Sequence, residues 1–140
     1  MKQLSTHILF LLLIASLSSC KKYIQQQEKN AVLQIMTTGV WYVQLYKQNN
    51  IDITNSFSGY LFKFDANGVV TGTKNSASTT GSWSADVSTV TISSDFPSAP
   101  DPLKELNETW KITDSGPTYV VANSKDSVNS TSNALRLQKQ

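Results

Sequence analysis

The chain has 140 residues, 12 Lys and Arg against 10 Asp and Glu, a single cysteine and a single histidine. That length supports one domain beside an export segment, and the lone cysteine excludes a disulfide within the chain. Near-balanced charge, with no basic run beyond Lys21-Lys22, gives no electrostatic footprint for nucleic acid.

Met1–His7 is a short polar start carrying Lys2, and Ile8–Leu17 is an apolar run interrupted only by Ser16. The run is shorter than the roughly 20 apolar residues of a membrane-spanning helix, and it fits the core of a signal peptide. Leu17-Ser18-Ser19-Cys20 resembles the lipobox of bacterial lipoproteins. The resemblance implies a signal peptide over residues 1–19, cleaved before Cys20, and lipid on the Cys20 thiol and on the new amino terminus. Two or more acyl chains, at about 0.8 kcal/mol per buried methylene, hold a protein firmly to its membrane. Lys21 stands where such lipoproteins carry the Asp that retains them at the inner membrane. The expected location is therefore the outer membrane, on its periplasmic face, with Lys21-Lys22 beside the headgroups.

Residues 20–30 read as a lipidated tether and residues 31–140 as the folded domain. Val32, Leu33, Ile35 and Met36 share one face of a short helix over Ala31–Thr38, with Asn30 as N-cap and Gly39 past its end. The period then changes to two. Trp41, Val43 and Leu45 alternate with Tyr42, Gln44 and Tyr46, and Tyr60, Phe62 and Phe64 alternate with Leu61 and Lys63. Asp65-Ala66-Asn67-Gly68 marks a hairpin into Val69–Lys74. Further strands are expected at Thr79–Ser84, Ser88–Ser93, Glu108–Thr113, Thr118–Asn123 and Asn133–Gln138. The Pro-containing link Asp95–Asn107 carries one short helical piece, Leu103-Lys104-Glu105-Leu106. Eight amphipathic strands joined by short turns predict an all-β fold, an antiparallel up-and-down barrel with a short N-terminal helix. A two-layer β-sandwich is the alternative, with Asp95–Asn107 and Ser124–Ser132 as its crossing links.

Gly39-Val40-Trp41, after a short helix and opening the first strand, resembles the Gly-x-Trp motif of lipocalins. The likeness to small lipocalin-like lipoproteins of the Bacteroidota covers roughly residues 30–140. It is carried also by Tyr60–Gly68, Gly81-Ser82-Trp83-Ser84 and Leu103–Trp110. It implies that Trp41 closes one barrel end beneath the helix and that a basic side chain from the last strand lies across its indole. Arg136, the one arginine, is the candidate, in a contact of about 0.5–2 kcal/mol, although strict alternation with Leu135 and Leu137 would point it outward. The strands are shorter than in ordinary lipocalins, which argues against a large ligand cavity.

His7 leaves with the signal and Cys20 is committed to lipid. The mature domain then has no Ser-His or Cys-His pair and no nitrogen or sulfur ligand for zinc, so neither an enzyme nor a cofactor or metal site is expected. Asp95, Asp101, Glu105 and Glu108 are the densest carboxylates, at a spacing that matches no known calcium loop. Tyr60, Phe62, Phe64, Trp83, Trp110 and Tyr119 fall on the expected inward face. They are either the wall of a pocket for a small apolar ligand or a filled core. Tyr42 and Tyr46, expected outward, would serve a protein partner instead. Asp126-Ser127-Val128 resembles the Asp-Ser/Thr-aliphatic acceptor of O-glycosylation in Bacteroidota, with Ser127 as the modified residue.

Overall fold

The structure is a computed structural model, and it describes residues 24, 27, 29–124 and 132–140. The expected signal peptide, Cys20 and Ser127 lie outside the described residues. Helix α1 covers residues 29–37 and is already present at Ile24 and Gln27. Asn30 is thus helical rather than a cap, and the stretch read as a tether contributes helix. Gly39, at φ +83°, ends α1 in the left-handed conformation that glycine adopts without a Cβ penalty.

Nine strands follow: β1 (Trp41–Gln48), β2 (Ile51–Asp52), β3 (Leu61–Phe64), β4 (Val69–Lys74), β5 (Ala77–Asp86), β6 (Thr91–Asp95), β7 (Thr109–Gly116), β8 (Tyr119–Ser124) and β9 (Ala134–Lys139). β2 only extends β1 as a two-residue hairpin through Asn49 and Asn50, both at positive φ. The other eight pair antiparallel in chain order, and β9 returns to pair with β1 from Trp41↔Lys139 to Lys47↔Ala134. The sheet is a closed eight-stranded up-and-down barrel, so the sandwich alternative is discarded.

The turn over Asp65–Gly68 forms as its residues require. The Gly68 N–H donates to the Asp65 carbonyl, the Val69 N–H to Asn67 Oδ1, and the Trp83 indole N–H to the Asp65 carbonyl at 2.9 Å. Trp83 therefore anchors this turn from β5 while its ring meets Phe64 edge-on at 5.3 Å.

The barrel is stopped at both ends. α1 crosses one end, where Trp41 is fully buried, donates from its indole N–H to the Met36 carbonyl at 2.9 Å, and lies under the Lys139 ammonium at 5.0 Å. The basic residue across Trp41 is thus Lys139 and not Arg136, which points outward as alternation requires. At the other end the link after β2 forms a 3-10 turn at Thr54–Phe57, and the link after β6 forms another at Leu103–Leu106. Phe57, Phe96, Leu103 and Leu106 drop from these links into the barrel mouth and are buried.

Phe96 reaches the mouth because β5 carries glycine at position 81. A Cβ there would lie 2.4 Å from the Asp95 carbonyl oxygen and 2.8 Å from Phe96 Cδ1. Gly81→Ala is expected to lower the unfolding free energy by about 1–3 kcal/mol, read as a lower midpoint in urea. An unchanged midpoint would show that Phe96 is free to give way.

Candidate functional site

The interior is the first place to seek a site, since an eight-stranded barrel is wide enough to be filled by side chains or to hold one small ligand. Phe62, Phe64, Trp83 and Trp110 point inward and are buried, as alternation predicts. They pack on one another and on the mouth residues rather than around a void. Phe62 meets Phe96 at 6.4 Å, and Trp110 meets Tyr46 edge-on at 5.8 Å. The cavity left among them is about 30 Å³, lined almost wholly by apolar side chains. That is room for one or two waters, where small-molecule pockets run to about 300–1,000 Å³.

Two expected wall residues lie elsewhere. Tyr119 is on the outside, because β8 turns Val120 and Ala122 inward against Leu137 and Leu135 of β9. Its ring carries the Arg136 guanidinium at 4.7 Å, and its hydroxyl stands 3.3 Å from both Asp114 carboxylate oxygens. Arg136 Nε also donates to Gln44 Oε1 on β1. Tyr60 sits half-buried at the mouth, just ahead of β3, stacked on Phe62 at 6.1 Å with the Lys74 ammonium 5.0 Å from its ring centre.

Tyr46 is the residue that alternation misplaces. A register shift between Val43 and Leu45 in β1 moves the following residues by one, so Leu45 turns out and Tyr46 turns in. Tyr46 is fully buried, meets the Phe57 ring in a tilted contact at 5.0 Å and donates its hydroxyl to the Glu105 carbonyl at 2.6 Å. Burial, then the nearby Glu105 and Glu108 carboxylates, pushes this phenol above its ordinary pKa, so it stays a donor. Gln48 Nε2 donates to the Glu105 carboxylate, the Ser94 hydroxyl to the Leu106 carbonyl, and the Asn107 side chain bonds both the N–H and the carbonyl of Phe96. The mouth link is therefore tied to β1, to β6 and to itself.

No three of the four carboxylates of this region converge. Asp101 pairs with Lys104 at 3.0 Å, Glu105 takes Gln48, and Glu108 accepts from Asn133. Among the described residues, no three His, Cys, Asp or Glu side chains stand together in a way that could hold a metal ion.

No family model matches the sequence, and no curated protein matches it. In fold, the chain is similar to a DUF4847 family protein from Bacteroides vulgatus ATCC 8482, known from a crystal structure. The TM-score is 0.56 at 17% identity, covering 78% of this chain and 99% of that one. At that identity the likeness establishes a shared small β-barrel fold.

A filled interior predicts that an apolar reporter dye such as N-phenyl-1-naphthylamine gives no saturable fluorescence with the folded chain. Saturable binding at one site per chain, quenching the buried tryptophans, would contradict the packing described.

Proposed function

We propose that this chain is an exported lipoprotein, held through acylated Cys20 in the outer membrane and facing the periplasm. In this reading the barrel works as a rigid recognition module from its outside, without a reaction of its own. The observation that carries the second half is the interior of about 30 Å³ beneath two stopped ends, which leaves the outer surface to do the binding. The first half rests on Leu17-Ser18-Ser19-Cys20 and the apolar run before it.

The outward set Gln44, Asp114, Tyr119 and Arg136 supports a protein partner. Arginine and tyrosine are the residue types that dominate binding energy at protein interfaces. Here they are held in one arrangement by the contact between Arg136 and Tyr119 and the hydrogen bond to Gln44. Tyr42, on the outer side of β1 beside Gln138, borders the same patch.

A second reading places a small apolar ligand inside the barrel, supported by the apolar lining of the residual cavity. It requires Phe57, Phe96, Leu103 and Leu106 to withdraw from the mouth together.

Envelope capture tests the first reading. The chain expressed in its native host should incorporate labelled palmitate, lose it in Cys20→Ala, and enrich an envelope protein that Arg136→Glu no longer retains. No label would refute the anchor. Identical captures by wild type and Arg136→Glu would refute the surface.

A further inference from the structure

A ligand-sized concavity lies on the rim of the barrel mouth. It is a groove of about 620 Å³ between the two links that stop the mouth, within the range of about 300–1,000 Å³ usual for small-molecule sites. We propose that this groove is a binding site for a neutral or amino saccharide.

The lining decides the chemistry. Gln48, Ser56, Lys74, Asp101 and Glu105 present amide, hydroxyl, ammonium and carboxylate groups around one space. Donors and acceptors are both present, which suits vicinal hydroxyls, each able to give and take a hydrogen bond. Between these polar groups stand Ile53, Pro102 and Tyr60, apolar surface for the C–H face of a pyranose ring. A purely apolar ligand would strip water from the Glu105 carboxylate and the Lys74 ammonium without offering either a hydrogen bond. Asp101 is already paired with Lys104 at 3.0 Å, so Glu105 and Lys74 remain, one of each sign, and the groove has no surplus cation for a phosphorylated or acidic sugar.

The groove is also built rather than incidental. Glu105 is fixed through its backbone by Tyr46 and through its carboxylate by Gln48, which leaves lone pairs on that carboxylate for a ligand. Tyr60 is held by Phe62 beneath it, and Lys74 by the Tyr60 ring. Walls set in place before binding spare the ordering cost that weakens loop sites. The groove opens at the end of the barrel away from α1.

The experiment is a chemical-shift titration of the full chain, ¹⁵N-labelled, in a detergent without a sugar headgroup. The probes are glucose, galactose, N-acetylglucosamine, glucosamine and maltose, with glucose 6-phosphate as the anionic comparison. At least one neutral or amino sugar should give saturable shifts centred on Gln48, Ser56, Tyr60, Lys74 and Glu105. Glu105→Gln and Lys74→Met should each weaken it by about tenfold while the rest of the spectrum stays that of the folded barrel. Glu105→Gln keeps the backbone carbonyl that Tyr46 bonds, so it separates ligand contact from folding. The proposal is overturned if no sugar gives saturable shifts, if the shifts centre elsewhere, if both variants bind as wild type does, or if glucose 6-phosphate binds most tightly.

Discussion

The hydrogen bond from the Tyr46 hydroxyl to the Glu105 carbonyl, 2.6 Å long and fully buried on the tyrosine side, is the contact on which the mouth depends. It joins the first strand to the link after the sixth, 59 residues away in sequence. On one side it brings Tyr46 against Phe57 and Trp110. On the other it seats the turn whose Leu103 and Leu106 close the barrel, and it leaves the Glu105 carboxylate facing the groove. A buried phenol without this acceptor would cost about 1–3 kcal/mol, so the packing of the mouth and the placing of the groove wall are one arrangement.

That arrangement arises from a single irregularity in β1. Two-residue periodicity reads Trp41, Val43 and Leu45 as one face, and it is right as far as Val43. The register shift before Leu45 exchanges the faces, and no residue in Trp41–Gln48 announces it, since no glycine or proline marks the bulge. The same reasoning places Phe62, Phe64 and Trp83 correctly because β3 to β6 pair without a shift, and Trp110 correctly because it lies ahead of the shift in β7. It misplaces Tyr119 because β8 is apolar on both faces, and period two alone does not decide between Tyr119 with Val121 and Val120 with Ala122, the pair that is buried. The number and order of the eight barrel strands, the helix, the Asp65–Gly68 turn and the short helical piece at Leu103–Leu106 were legible from periodicity and turn chemistry. Ser88–Val90, expected to open a strand, is instead a turn with Val90 exposed at positive φ, and that strand begins at Thr91. The mouth layer was not legible, because Phe57 and Phe96 lie in links where no period exists to assign them a side. Leu103 and Leu106, three apart on one face of a short helical turn, were the one hint that the link folds back to cover something.

The closed end shows how far a resemblance carries. The lipocalin pattern implies a tryptophan under the helix with a cation across it, and both are present. The cation is Lys139, three residues beyond the expected arginine. Arg136 is freed to build the outer patch with Tyr119 and Gln44. The aromatic residues that a binding barrel would spread around a ligand are here spent on one another, as suits a domain with little core to spare. The proposed recognition surfaces are accordingly the outer strands and the rim.

Native-state hydrogen exchange tests the central claim, that the mouth layer is part of the core rather than a lid. The amides of Phe96, Leu103, Glu105 and Asn107 are each hydrogen-bonded within that layer. They should exchange only through global unfolding, with the same steep denaturant dependence as the Val70 and Val120 amides in the barrel wall. Exchange of those four amides through a local opening that is nearly independent of denaturant, with the wall still protected, would show a mouth that opens and would contradict the account.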